Sequence, residues 1–141
     1  MTDTLSIKAR SERMGRVKGK DTAPEQLVRK MAHSMGYRFR LHVRDLPGRP
    51  DLVFPRLHKI IFVHGCFWHR HRKRGCKLAR LPKSRLEFWL PKLEGNRLRD
   101  VENKRALRRQ GWEVLEIWEC EIQNVEALRS RLRYFLDHEL A

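Results

Sequence analysis

A dense run of metal-ligand side chains at residues 64–76 constrains the fold more than any other feature of the sequence. It contains two cysteines and three histidines, and the remaining cysteine, Cys120, lies far along the chain. A structural zinc ion takes four soft or borderline ligands in a tetrahedron. Cys66, His71, Cys76 and Cys120 could supply them, and such a site would pin the loop to the end of a later strand.

Buried free thiols are the alternative interpretation, because unpaired cysteine favours burial. The charged residues around Cys66 and Cys76 argue against it. An odd number of cysteines also argues against a disulfide framework and fits a reducing compartment.

The chain is strongly basic. Its 141 residues include 32 Lys and Arg against 17 Asp and Glu, which gives a formal net charge of +15. Such an excess attracts a polyanion, and nucleic acid is the commonest one. A membrane surface is the alternative, but the longest apolar run, at residues 60–63, is too short to span a bilayer. Because the N-terminus also lacks the apolar stretch of a signal peptide, we expect a cytoplasmic protein that binds no membrane.

Hydrophobic spacing predicts a single domain over residues 21–141, built as an α/β/α sandwich around a central mixed sheet. Residues 1–20 are basic with few apolar anchors, so we expect a flexible segment that grips DNA. The expected order begins with a helix from Asp21 or Thr22 to Gly36, followed by strands at 37–43, 51–54 and 59–64. A helix at 84–110, broken near Pro91, and a strand at 112–118 come next. The last element is a helix with one apolar face, formed by Val125, Leu128, Leu132, Phe135 and Leu136.

Several residues suit phosphodiester hydrolysis, which needs a cation on the phosphate and an activated water. Asp51 opens a short strand and could bind magnesium, although Asp after Pro is equally well a turn residue. A general base with a pKa near neutrality is provided by histidine, here His64, His69 or His71. Asp100 could orient such an imidazole, although a salt-bridged surface residue is the simpler interpretation.

The same caution applies to Glu25 and to the aromatic residues. Glu25 could merely compensate the positive end of a helix dipole. Phe67, Trp68 and Trp89 could be exposed wedges that enter a base stack, or they could cover the underside of the loop. Trp112 and Trp118 are assigned to the core.

Several segments of the chain, from about Arg13 to Leu140, resemble the very short patch repair endonucleases of bacteria. The matching segments are KGKDTAPE at 18–25, YRFR at 37–40, LPGRPD at 46–51, FVHGCFWH at 62–69, EFW at 87–89, RD at 99–100, and GW through WEC at 111–120.

The resemblance implies a fold related to type II restriction endonucleases. It also implies nicking of double-stranded DNA on the 5′ side of the thymine in a T:G mismatch, left when 5-methylcytosine deaminates. We therefore expect a monomer that is linked functionally to a cytosine-5 DNA methyltransferase and could work with mismatch-repair proteins.

The resemblance also implies roles for individual residues. Asp51 and the backbone carbonyl of Val63 would hold magnesium, with Glu25 supporting its hydration. His69 would activate water, oriented by Asp100, and His64 would assist at the phosphate. The remaining implied sites are structural zinc on Cys66, His71, Cys76 and Cys120, wedging by Phe67, Trp68 and Trp89, and a minor-groove contact through Met14.

The zinc loop at residues 71–76 is longer and more basic than the family form. Either His69 or His71 could therefore take the histidine position, and the extra bases could contact phosphates. Two rival hypotheses stay open: a non-catalytic zinc-bearing DNA-binding module, and a less selective nuclease of the same fold.

Overall fold

The apolar run near the middle of the chain forms a central strand of a four-stranded sheet. The computed structural model describes residues 21–73 and 75–138. Neighbouring strands are antiparallel except for the last pair, which is parallel, so the sheet is mixed as predicted. In order across the sheet the strands are β1 (Arg40–Leu41), β2 (Leu52–Phe54), β3 (Lys59–His64) and β4 (Glu113–Trp118).

Among the described residues, three α-helices accompany the sheet: α1 (Ala23–Ser34), α2 (Leu86–Arg109) and α3 (Val125–Asp137), with short 3-10 turns at Lys77–Ala79 and Glu119–Gln123. Helix α1 begins where the sequence predicts, because the Thr22 hydroxyl accepts a hydrogen bond from the Glu25 N–H at 3.4 Å. It ends just before Gly36, whose φ of +91° is a conformation that glycine adopts without strain.

Helices cover both faces of the sheet. Residues of α1 and α3 pack on one face, against alternate residues of β2, β3 and β4. Helix α2 packs on the other face, where Leu107 contacts Val53, Ile60 and Phe62. Side chains of a strand alternate between faces, so β2 and β3 contribute to both cores. The mixed α/β organisation predicted from the sequence is therefore confirmed.

Three details of the predicted elements are wrong. Strand β1 covers only Arg40–Leu41, because His42 has a φ of +48° and turns the chain out of the extended conformation. Helix α2 runs unbroken through Pro91, which removes only the hydrogen bond to the Glu87 carbonyl near the helix start, where Glu87 is exposed to water. Val125 is an exposed residue rather than part of the buried face of α3.

Residues 1–20, which were expected to be flexible and to contact DNA through Met14, lie outside the described residues. The single-domain assignment stays a prediction. No helix within residues 21–73 and 75–138 is long and apolar enough to cross a membrane.

Strands β3 and β4 are parallel, so their carboxyl ends meet at one edge of the sheet. The register pairs His64 with Trp118 at that edge. The loop that follows β3 and the turn that follows β4 therefore leave the sheet side by side. This edge brings together the residues that sequence analysis selected.

Candidate active site and metal cluster

The edge formed by the ends of β3 and β4 borders a pocket of about 480 Å³. The residues that line it come from α1, the turn before β2, the end of β3, the following loop and the middle of α2. They include all six residues to which the sequence assigned a catalytic or magnesium-binding role: Glu25, Asp51, Val63, His64, His69 and Asp100.

Asp51 lies immediately before β2 and is held by the neighbouring strand. Its Oδ2 accepts a hydrogen bond from the Val63 backbone N–H at 2.7 Å. Its Oδ1 lies 3.9 Å from Nε2 of His42. Burial raises the pKa of the Asp51 carboxyl. A half-buried carboxylate with one oxygen fixed in this way is a suitable ligand for a hard divalent cation, because the cation would offset the cost of partly burying the charge.

His69 and Asp100 form a hydrogen-bonded pair. The Nδ1–H of His69 donates to Oδ2 of Asp100 over 2.6 Å. This contact fixes the orientation of the ring and directs Nε2 away from the carboxylate. This pairing favours Asp100 as the partner of the His69 imidazole over its interpretation as a salt-bridged surface residue.

Glu25 is almost fully buried, at 2% exposure, although it lies in the first turn of α1. Its carboxylate contacts Arg29 and also accepts a hydrogen bond from Nε2 of His42 at 2.8 Å. Compensation of the helix dipole does not require such burial. His42 was missed by sequence analysis, which treated it only as part of an alternating strand.

His64, unlike the half-buried His69, is a buried imidazole of the pocket. Its Nε2 lies 2.9 Å from Oε2 of Glu116 in β4, and Oε1 of Glu116 lies 2.6 Å from Nζ of Lys104 in α2. The centroids of the His64 and His69 rings are 4.1 Å apart. Burial opposes ionisation of Glu116, but the hydrogen bonds from His64 and Lys104 outweigh it and lower its pKa to about 2. Sequence analysis identified neither Glu116 nor Lys104.

We expect protonation of Glu116 in acid to lower the free energy of unfolding. Its pKa of about 2 in the folded chain lies below the ordinary value of 4.5, so the unfolded chain takes up the proton first as the pH falls. The contribution, on the order of 3 kcal/mol, is complete above about pH 5 and is lost towards pH 2. The unfolding free energies of the wild type and Glu116→Gln should therefore converge by about 2 kcal/mol between pH 7 and pH 3 in denaturant titrations.

Glu102→Gln is the matched control, because Glu102 is exposed on α2. Its difference from the wild type should change little over the same pH range. A Glu116→Gln profile parallel to that of the wild type would contradict the assignment of a strongly ionised Glu116.

The cysteine and histidine cluster lies next to the pocket. One ligand atom from each of Cys66, His71, Cys76 and Cys120 lies within 4.8 Å of the others. The sulfurs of Cys66 and Cys120 are each 3.5 Å from Nδ1 of His71. Tetrahedral zinc with ordinary bond lengths separates a sulfur and a nitrogen ligand by about 3.5 Å. These residues therefore fit a zinc ion.

The protonation chemistry of the cluster agrees with that fit. Burial lowers the pKa of His71, which keeps its imidazole neutral as a metal ligand must be. Burial also raises the pKa of the Cys66 thiol, so a cation is needed to hold it as a thiolate. Cys66 is fully buried despite its charged sequence neighbours. His69 is paired with Asp100, so the geometry favours His71 for the histidine position.

The aromatic residues are arranged differently from exposed wedges. Trp68 and Trp89 are each 7% exposed and pack with Leu93 in a small core of their own. Phe67 is half-buried against both tryptophans, with ring centroids 5.4 and 5.5 Å away. Of the two interpretations that the sequence left open, exposed wedges do not fit the two tryptophans in this structure, because the rings bury one another. A wedge role on DNA would require this core to open and stays a prediction.

Trp118 also differs from its predicted place in the core. It is half-buried at the end of β4, and its ring stacks on His71 with centroids 4.1 Å apart and an interplanar angle of 11°. It also lies 4.9 Å from the His64 ring. Trp118 therefore separates the metal cluster from the pocket.

The chain is basic, its fold is α/β, and carboxylates and imidazoles share one pocket. These features define a class of enzyme, the hydrolases that act on charged esters. Residues 2–75 match the family model described as DNA mismatch endonuclease Vsr. A type II nicking enzyme of Xanthomonas oryzae, V.XorIIP, is 53% identical over 97% of this chain and 98% of its own length. The DNA mismatch endonuclease Vsr of Escherichia coli is 39% identical over 91% of this chain and 80% of its own length. The chain belongs to the Vsr family of DNA mismatch endonucleases.

Proposed function

We propose that this endonuclease nicks one strand of double-stranded DNA on the 5′ side of the thymine in a T:G mismatch, in a magnesium-dependent reaction. The observation that carries the proposal is the convergence of Asp51, His64, His69 and Asp100 on one pocket, beside a cluster of thiol ligands. The names of the relatives support mismatch recognition and nicking. A monomer related in fold to type II restriction endonucleases is the form we expect.

In the proposed reaction, each of these residues of the pocket has a separate chemical role. His69 takes the proton of the attacking water through Nε2, and Asp100 holds the ring in position from Nδ1. His64 would assist at the phosphate, where its Nδ1 can accept a hydrogen bond from a water at the reacting centre. A bound Mg²⁺ would neutralise charge on the phosphate.

The residues expected to hold magnesium are Asp51, through its carboxylate, and Val63, through its backbone carbonyl. They suit the ion chemically, because Mg²⁺ prefers oxygen ligands and keeps much of its water. Glu25 carries a second buried carboxylate to the same pocket and would receive hydrogen bonds from that water. Cys66, His71, Cys76 and Cys120 would hold a structural zinc ion.

Contacts with DNA would come from the basic surface next to the pocket. A second cavity, of about 520 Å³, shares His69 and Asp100 with the first. Its cationic lining residues include Arg70, Arg72, Lys73, Arg97 and Arg131, whereas the charge of Lys104 in the same lining is paired with Glu116. Such a surface binds the phosphate backbone with strong salt dependence and little sequence preference.

Selectivity would come from the mismatch itself. A mismatched step stacks poorly, so opening it costs less than opening a matched pair. The aromatic cluster of Phe67, Trp68 and Trp89 would open and insert at that step, with residues 1–20 and Met14 in the minor groove. Because such mismatches arise from 5-methylcytosine, we infer a functional link to a cytosine-5 DNA methyltransferase. The protein would act in the cytoplasm, where mismatch-repair proteins could assist the nicking reaction.

A panel of end-labelled duplexes tests the proposal. We expect Mg²⁺-dependent nicking of the thymine strand at T:G, at least about 100-fold faster than at the matched T:A pair, because unstacking a matched step costs a few kcal/mol more. The panel should vary the flanking bases and include every other mismatch. Equal cleavage of matched duplex would favour a less selective nuclease, and tight binding without cleavage in any context would favour a DNA-binding module.

A further inference from the structure

Two imidazole–carboxylate pairs lie side by side at the edge of the sheet. The first is His69 with Asp100, and the second is His64 with Glu116. The two imidazole rings are 4.1 Å apart and inclined by 31°. The first pair was expected from the sequence, whereas the second has no counterpart in the roles derived so far.

The ring of His64 is confined on several sides. Its side chain is 3% exposed, and it lies against Phe62 with ring centroids 5.4 Å apart and an interplanar angle of 16°. The Trp118 ring lies 4.9 Å away on β4. The ring therefore cannot turn freely, and its Nε2 faces Glu116.

Glu116 determines which nitrogen of His64 carries the proton. An ionised carboxylate only accepts hydrogen bonds, so Nε2 of His64 must be protonated to pair with Oε2 of Glu116 at 2.9 Å. In the neutral ring this leaves Nδ1 as an acceptor. Without Glu116, either nitrogen could carry the proton.

Lys104 holds Glu116 in place from the opposite side. Its Nζ contacts the second carboxylate oxygen of Glu116 at 2.6 Å. Lys104 lies four residues after Asp100, so one face of α2 supports both imidazole–carboxylate pairs. The helix thus aligns the two pairs with each other.

We propose that Glu116, held by Lys104, is a positioning residue that fixes His64 in its Nε2-protonated form and orientation for phosphodiester hydrolysis. This inference rests on the proposed function, in which His64 assists at the reacting phosphate. Glu116 would act through His64, its hydrogen-bond partner at 2.9 Å.

The decisive variant removes the whole pair, as Lys104→Met with Glu116→Leu. Replacing both partners with apolar residues avoids leaving one buried charge unpaired, so the fold should survive. Glu116→Gln is the conservative variant, because its amide oxygen can still accept from Nε2. Glu102→Gln, on an exposed surface of α2, is the control for a general loss of charge.

Two measurements test the inference on the full chain. Nitrogen-15 NMR of labelled histidines reports the protonated nitrogen of His64, and nicking of the T:G duplex with Mg²⁺ gives kcat and KM. In the double variant we expect the Nε2-protonated form to lose its dominance and kcat to fall by about 10- to 100-fold, with KM changing by less than about 3-fold. Glu116→Gln should retain the Nε2-protonated form and lose less activity than the double variant.

A double variant with the wild-type His64 spectrum and wild-type kcat would overturn the inference, as would an unchanged spectrum alongside reduced kcat. Failure of the proposed function looks different. The wild type would then nick no mismatched duplex, while the NMR comparison would still decide whether Glu116 sets the protonation of His64.

Discussion

Asp51→Ala should abolish Mg²⁺-dependent nicking, with kcat on the T:G duplex reduced by about 1,000-fold or more. The variant removes the carboxylate that would bind the cation, and electrostatic stabilisation of this kind is worth several kcal/mol in a transition state. Asp51→Asn should lose as much activity. Its side-chain oxygen can still accept from the Val63 N–H, so loss of a local hydrogen bond is not the cause. Single-turnover nicking assays give the comparison directly.

Asp45→Ala is the matched control, since Asp45 is an exposed carboxylate on the loop before β2 and its removal changes the net charge equally. It should nick at the wild-type rate. DNA binding without Mg²⁺ should be preserved in all three variants, because none removes a positive charge. Wild-type nicking by Asp51→Ala would refute the assignment of the active site.

His71→Ala should release the metal and loosen the whole edge of the sheet. The variant leaves three cysteine ligands around a site that geometry suits to four. Because binding of structural zinc is coupled to folding, we expect the free energy of unfolding to fall by about 3 kcal/mol or more. Nicking should fall with it, because His69 lies within the turn that runs from Cys66 to His71. Zinc per chain, measured by atomic spectroscopy, and denaturant titrations give the two values.

His33→Ala is the matched control, as His33 is an exposed imidazole on α1. It should keep one zinc per chain and wild-type stability. Dialysis of the wild type against a strong chelator should reproduce the instability of His71→Ala. A metal-free wild type with unchanged stability and activity would rule out a structural role for zinc.

The sequence predicted the parts of the site in which the chemistry of a residue type is restrictive. Cysteines in a basic stretch have few uses besides metal binding, and the predicted ligands do gather at one point. Strand β3 was predicted with its observed bounds because its apolar run is bracketed by turn residues. Asp51 and His64 come together because β2 and β3 pair, the condition on which their proximity depended.

The sequence could not reveal His42, Lys104 or Glu116. Each is a polar residue at a position where an amphipathic strand or helix also carries solvated side chains, so local pattern gives no signal. Lys104 and Glu116 meet only because α2 packs beside β4. Their role depends on tertiary packing, which periodicity does not contain.

Aromatic residues were the least predictable. A tryptophan fits a core, a ring-stacking site or an exposed surface equally well by size and hydrophobicity. Trp68 and Trp89 proved buried against each other, and Trp118 proved to be a partner of His71. Their places depend on which neighbours the zinc loop brings within reach.

Two of the expected metal ligands, His71 and Cys76, flank a short basic segment of the sequence. The two ligands fix where this segment begins and ends, and its residues Arg72 and Lys73 are exposed. Its length and charge can therefore change between related enzymes without moving either anchor point or the catalytic imidazoles. Sequence changes in this segment alone can therefore alter how such a nuclease binds the duplex, while the residues expected to carry out cleavage stay the same.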